Sequence, residues 1–370
     1  MSTIVKAQTP ADLLAFAPHL LGYTPTKSVV LMLFDGNRTC GALRLDLPAD
    51  SSAQGLKQFA NVALGTITRV PDVRSIVPVI FTDHEFGDDS LIPHTDLFDV
   101  LARRSRHMGF PFKEALCLAA DGWGSYFDRV TPRGGRPLSE VRESDVTDRV
   151  PEDARAVAGD QNADSQPIPV DEEAAARATK RVQNLGKTLQ RSATRPTSSP
   201  SLNLLADVPW FAEWVLAWTD EELTLHGPLL LFALQGPPMR DHTMLQWATS
   251  REIGELMFDE VENAQGDPMV IDPMLGDLML GIGPRPDLER VRKAIALLRS
   301  LLAMAEQRYR PAPLCMLAWL SWATGRTSHA AGYIEQARTI DPAYSMAELL
   351  EQIISSGMLP QWAFDKQLGD

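Results

Sequence analysis

The chain is 370 residues long, 44% hydrophobic and 22% charged, and its 35 Lys and Arg against 48 Asp and Glu leave a net charge of −13. That apolar content can bury a sizeable core, over a length that suits two domains. The negative field repels phosphate backbones and anionic lipid surfaces, which argues against nucleic-acid and membrane partners unless a basic patch is concentrated somewhere.

The chain opens with "MSTIVKAQTPADLL", which lacks the charged-then-apolar pattern of a leader, and no apolar run approaches bilayer length. A helix is predicted from about Ala11 to Leu21, strands at Ser28 to Phe34 and Cys40 to Leu47, and a helix from about Ser51. A strand at Ser75 to Phe81, a helix from about Ser90 to Met108 and a strand at Glu114 to Ala120 follow. Strands alternating with helices of this length predict an α/β domain over residues 1–130, a mixed sheet with flanking helices and at least one parallel pair. The "DGNR" turn is too short for a crossover and predicts an antiparallel hairpin. In the second hairpin strand Leu43, Leu45 and Leu47 face one side and Ala42, Arg44 and Asp46 the other, so Arg44 and Asp46 are expected to form a buried structural pair.

Between Asp128 and Pro209 there is no aromatic residue, Met, Cys or His. Such a stretch reads as a largely disordered linker, residues 131–200, with one helix near 170–191 whose apolar face carries Val182, Leu185 and Leu189. An α-helical domain is predicted over 201–366. In it Trp210, Trp214 and Trp218 recur every four residues, a stripe that reads as a core anchor rather than a stacking surface. His226, ahead of Gly227 and Pro228, is placed at a turn between two helices. Arg240 and Asp241 follow a Pro-Pro stop and read as a structural tie and a helix cap. The basic runs Ala102 to His107 and Ala178 to Arg191 sit beside acidic neighbours and read as solvated helix faces.

"LLGYTPTKSVV" (Leu20 to Val30) and "RLDLP" (Arg44 to Pro48) together resemble the start of an actinobacterial family known only as domain of unknown function 4192. "GWGSYFD" (Gly122 to Asp128), "MRDHTML" (Met239 to Leu245) and "LAWLSWATG" (Leu317 to Gly325) extend the likeness over most of the chain outside the linker. The family name implies no activity, so function has to be argued from residues. A second, local resemblance runs from Pro311 to Tyr344. There Gly325, Ala330, Ala337 and Pro342 stand at the offsets where a tetratricopeptide unit of about 34 residues has its inter-helix Gly, two small residues and terminal Pro. One such unit cannot form the concave groove of a repeat array, so a packed helical hairpin is expected at 311–344.

The sequence contains no phosphate-cradling Gly loop, no His-Glu-x-x-His and no nucleophile elbow, and no cofactor is expected. The Gly-Tyr-Thr-Pro elbow precedes its strand instead of joining a strand to a helix. It therefore cannot aim a helix N-terminus at a phosphate, and it reads as a way into the sheet. Ligands gather at the carboxyl ends of strands in α/β sheets, here "TDHEFGDD" and "DGWGSY". Asp83, His84, Glu85, Asp88, Asp89, His94 and Asp96 could offer metal ligands, but they have no recognised spacing and read first as a solvated acidic loop, so no metal site is assigned. Asp121, Trp123, Ser125 and Tyr126 suggest a small polar pocket or an ordinary strand exit. The candidate catalytic residues are therefore Arg44, Asp46, Asp83, Asp121 and Ser125, and the candidate ligand-binding residues Trp123, Tyr126 and Arg240. Cys40, Cys117 and Cys315, widely separated and each in an apolar run, read as reduced core residues of a cytoplasmic protein. The leading functional reading is a non-enzymatic interaction or regulatory protein that meets a protein partner through its helical half. The alternative is an α/β enzyme or nucleotide-like ligand binder with its site near Asp83 and Asp121.

Overall fold

Both faces of the strand Ser28–Asp35 are apolar over Val29 to Leu33, so the chain must cover this strand twice. The computed structural model describes residues 6–21, 23–86, 91–150, 157–160, 166–192, 199–263, 273–356 and 358–363. They divide into two compact units, within 1–163 and within 164–363.

The first unit runs α1 (Pro10–Leu21), β1 (Tyr23–Thr24), β2 (Ser28–Asp35), β3 (Arg38–Asp46), α2 (Ala53–Ile67), β4 (Ser75–Phe81), α3 (Thr95–His107), β5 (Leu116–Leu118), β6 (Trp123–Ser125), α4 (Ser139–Arg142), α5 (Val146–Arg149) and β7 (Val157–Asp160). The main sheet has the order β3-β2-β4-β5-β6. β4 and β5 pair in parallel across the α3 crossover, and the other neighbours are antiparallel. The mixed sheet with flanking helices is thus the expected one. Side-chain alternation separates its two cores. Val29, Leu31, Leu33, Ile76 and Ile80 meet Leu56, Ala60 and Leu64 of α2 and Leu97 and Leu101 of α3. Val30, Met32, Val77, Val79 and Phe81 meet Ala11, Leu14 and Ala17 of α1 on the opposite face. Gly36 takes a φ of +55° in the tight β2–β3 hairpin, where a side chain would be strained.

The aromatic-free stretch is more ordered than its composition suggests. α4 and α5 pack on α1, Val146 and Val150 are buried, and β7 pairs in parallel with β1. Small aliphatics do there what aromatics do elsewhere. Residues 161–165 and 193–198, also read as disordered, lie outside the described residues.

The second unit is helical: α6 (Glu172–Ser192), α7 (Pro200–Asn203), α8 (Val208–Leu216), α9 (Asp220–Ala233), α10 (Pro237–Ala248), α11 (Arg251–Asn263), α12 (Pro273–Met279), α13 (Leu288–Ala303), α14 (Pro311–Ala323), α15 (Thr327–Ile340) and α16 (Ser345–Ser355). The helix foreseen in the linker is α6. It buries Ala175, Ala178, Thr179 and Val182 and packs on α9. α14 is buried at every position, and α10, α13, α15 and α16 pack around it. Indole N–H groups pin this core to backbone carbonyls: Trp247 to Ala212 at 2.8 Å, Trp319 to Met279 at 3.0 Å and Trp362 to Ala323 at 2.9 Å.

Several local expectations change. His226 lies inside α9, which runs through Gly227 and Pro228. Gly227 is needed there because a Cβ would sit 2.8 Å from the Met304 sulfur. In the Trp stripe, Trp214 and Trp218 pack against the core, but Trp210 is exposed and stacks on Trp214 with ring centroids 5.3 Å apart. Cys117 and Cys315 are buried, whereas Cys40 is exposed at the edge strand β3.

α14 and α15 form the helical hairpin expected at 311–344. Gly325 turns it with a φ of +80°, and Ala330 and Ala337 are fully buried. An Ala337→Leu substitution should destabilise the helical unit by about 1 to 3 kcal/mol through overpacking. Thermal melting measures this, and unchanged melting would mean that the α14–α15 crossing does not need a small residue.

Candidate functional site

β2 and β4 are antiparallel, with Ser28 opposite Phe81. The Tyr-Thr-Pro elbow ahead of β2 therefore arrives at the carboxyl end of β4, the sheet end where ligands are expected. It delivers Lys27, whose Nζ lies 2.7 Å from Asp83. Lys27 was not a sequence candidate. What could have revealed it is the elbow itself, since an antiparallel neighbour must begin where β4 ends.

Immediately beyond β4, Thr82 Oγ1 is 2.9 Å from His94 Nε2 and accepts the backbone N–H of His84 at 3.2 Å. The His84 and His94 rings stack with centroids 4.8 Å apart. His94 is half-buried, and burial together with the neighbouring His84 pushes its pKa down, so the neutral imidazole is favoured. Asp83 is exposed, and its hydrogen bond from Lys27 lowers its pKa.

His94 breaks local rules twice. It occupies the N-cap of α3 with a left-handed backbone, φ +61°, and its side chain makes no capping bond. A non-glycine residue there costs roughly 1 to 2 kcal/mol of backbone energy, and a missing cap costs about 1 more. Its neighbours hold it in place. Tyr126 OH donates to the carbonyl of Pro93 at 2.5 Å, Thr95 Oγ1 donates to Ile92 O at 2.7 Å, and Ile92 is buried with Phe86 and Cys117. Lys27 has a left-handed backbone too, φ +43°. Two of the three described non-glycine residues with positive φ thus meet at this one end of the sheet.

Two of the sequence candidates, Asp121 and Tyr126, serve to hold this end together. Asp121 accepts the Phe86 N–H at 2.9 Å, and Ala120 N–H reaches His84 O at 3.1 Å, so Asp121 fixes the loop that carries His84. Ser125 is buried and donates to Glu114 at 2.6 Å. Tyr126 is the clamp on Pro93, and its OH pKa is pushed well up by burial. Trp123 lies within the α1-side core under the guanidinium of Arg136, 4.9 Å away. The site thus takes Asp83, with Asp121 and Tyr126 as positioning residues, and it adds Lys27, Thr82, His84 and His94. Glu85 and Asp96 are exposed and outside it. Asp88 and Asp89 lie outside the described residues. Among the described residues no group of three or more His, Cys, Asp or Glu side chains could hold a metal ion.

Arg44 and Asp46 are elsewhere, on β3. They pair, but unequally: the Arg44 side chain is 4% exposed and the Asp46 side chain 74%. The expectation of a buried pair is corrected, because Asp46 stands near the end of an edge strand where nothing covers its carboxylate. Arg240 belongs to the helical unit. Its guanidinium meets Asp241 at 2.7 and 3.2 Å and Tyr344 OH at 2.8 Å. Asp241 lies inside α10, which Gly236 caps, so it is the partner of Arg240 and not a helix cap. A second, partly buried network there had no sequence signal. Arg290 holds Glu213 at 2.7 and 2.8 Å, and Gln246 joins it to Pro209 O at 2.8 Å, tying α8, α10 and α13. The Arg290 hydrogen bond lowers the Glu213 pKa.

With this geometry in place, the family can be reported. The model of a family described as "Domain of unknown function (DUF4192)" matches residues 10–262 and 270–361. The chain belongs to that family. No curated protein and no solved structure matches it. The family's match covers both units and every residue of the β4 site.

Two measurements follow. Asp46→Ala should cost at most about 1 kcal/mol, as for an exposed ion pair, whereas Arg44→Ala should cost on the order of 2 through its buried stem. Chemical denaturation decides, and equal losses would show that the ion pair, not the packing of the Arg44 stem, sets the cost. Burial also holds His94 and His242 below 6.5 in the fold. The unfolded chain therefore protonates first, and the stability is fully present above the ordinary histidine value and falls as pH drops through it. Denaturation midpoints should decline from about pH 7 to pH 5, less steeply in His94→Asn. An unchanged slope in that variant would remove His94 from the titration.

Proposed function

We propose that the chain is a non-enzymatic, ligand-responsive regulatory protein whose first unit binds a small polar molecule at the carboxyl end of β4, against Lys27, His84 and His94. The observation that carries this reading is His94, which forgoes a cap and takes a left-handed backbone while its imidazole faces Thr82 and His84. The Lys27–Asp83 pair is exposed, and an ion pair in solvent does little to offset strain at Lys27. Residues that depart from local preference in this way belong to sites more often than to scaffolding. The regulatory reading is preferred to an enzyme because Ser125 is buried and bonded to Glu114, and Asp121 is engaged by the loop backbone. The Ser125 hydroxyl is therefore not free to attack a substrate.

Docking of a protein partner on the helical unit is the second reading. It draws support from a groove of about 500 Å³ between α15 and α16, in which Ile334, Pro342 and Ile354 lie among Glu335, Arg338 and Glu351. A cytoplasmic setting suits free thiols, and burial pushes those of Cys117 and Cys315 up to about 12. Among the described residues no helix is long and apolar enough to cross a membrane.

The test is a thermal-shift panel of nucleotides, sugar phosphates and small carboxylic acids on the wild type and on His94→Asn, a residue that tolerates both the backbone and the cap position. The variant alone should melt at or above the wild type, and at least one compound should raise the wild-type Tm without moving that of the variant. If every compound shifts both proteins equally, or none shifts the wild type, the proposed site is wrong.

A further inference from the structure

α2 and α3 pack side by side on one face of the sheet. Between them runs a groove of about 400 Å³, lined by Lys57 and Asn61 from α2 and by Arg103, Arg104 and His107 from α3. Its apolar lining is Ala60 and Val100. No carboxylate lines it. α2 has no acidic residue in its first turn and none along "AQGLKQFANVALGTI". Asp96 and Asp99, the acidic neighbours that made the Ala102 to His107 run read as a solvated face, do not enter the groove.

Elsewhere in this unit Lys27 pairs with Asp83, Arg74 with Asp35, Arg136 with Asp128 and Arg149 with Asp145, while Lys113 donates to Gly36 O and Asn37 Oδ1 instead of a carboxylate. Lys57, Arg103, Arg104 and His107 form no ion pair among the described residues. Arg103 donates only to a backbone carbonyl, that of Asp99 at 3.2 Å. The negative end of the α3 dipole accounts for cations in its last turn. It gives nothing to Lys57, near the amino-terminal end of α2. In a chain of net charge −13, three permanent cations and a histidine around one groove with no carboxylate make a local patch of the opposite sign.

We propose that this groove binds the phosphate groups of a small phosphorylated ligand. Two adjacent guanidinium forks and an ammonium suit a multi-oxygen dianion, since Arg grips such groups through paired N–H donors and Lys adds a point charge. The volume is that of a small-molecule site, and Ala60 and Val100 offer an apolar surface to the rest of the ligand. The groove lies at the far end of α3 from His94, about 18 Å along the helix axis, so it is a different site from that at β4.

The experiment uses the full chain, with Tm and isothermal titration read against tripolyphosphate and a nucleoside triphosphate, and with sodium chloride at matched ionic strength as the control. Tripolyphosphate should raise the wild-type Tm beyond the chloride control. The Arg103→Gln, Arg104→Gln variant should bind tripolyphosphate about tenfold or more weakly. His94→Asn should bind tripolyphosphate like wild type, which separates the two sites. Tighter binding of the nucleoside triphosphate assigns Ala60 and Val100 to its base or sugar, and equal binding assigns recognition to the phosphates alone. No shift beyond chloride, or equal binding by the double variant, overturns the proposal.

Discussion

The first unit depends on the burial of β2 and β4 on both faces. A central antiparallel pair with no polar side has to be covered by helices above and below, and α1 on one face with α2 and α3 on the other do this. Once that is so, the ends of the strands are the only parts of the pair that reach the surface. The antiparallel register then brings the chain entering β2 to the same end as the chain leaving β4. Lys27 and Asp83, 56 positions apart in the numbering, become neighbours for this reason.

The site that results concentrates departures from ideal local structure. Lys27 and His94 have left-handed backbones and His94 leaves its helix uncapped, while Asp121 and Tyr126 supply the bonds that keep this arrangement from relaxing. Asp121 and Tyr126, which looked chemical from the sequence, thus act as supports, and the exposed His84 and Lys27 with the half-buried His94 are the groups that face solvent there. In the helical unit, by comparison, Thr219 and Glu222 form a complete capping box, and Arg240 is paired with Asp241 and Arg290 with Glu213.

Strand and helix order was legible because periodicity reports burial directly. Ser75–Phe81 is predicted and found with the same bounds, and the alternation of Leu43 and Leu45 against Ala42 places β3 correctly. What composition hid was order without aromatics: Val146 and Val150 are buried by neighbours that no local window contains. Gly227 and Pro228 signalled a break that tertiary packing against Met304 overrides. The end of the sheet that carries the site was legible from topology, but Lys27 and Thr82 were not, because their roles arise from the register of β2 on β4. The run from Ala102 to His107 is solvated as its pattern suggests, but charge patterning along α3 alone does not show what α2 places opposite it.

The thirteen residues of α14 have no solvent-facing side, and two of the helices that cover it, α15 and α16, follow it in the chain. During synthesis from the amino terminus, a segment as apolar as a bilayer anchor but too short to serve as one leaves the ribosome before its cover exists. Until α15 and α16 have been synthesised, the apolar sides of α14 that they cover stay open to solvent, a surface of the kind that makes unfinished chains prone to aggregate.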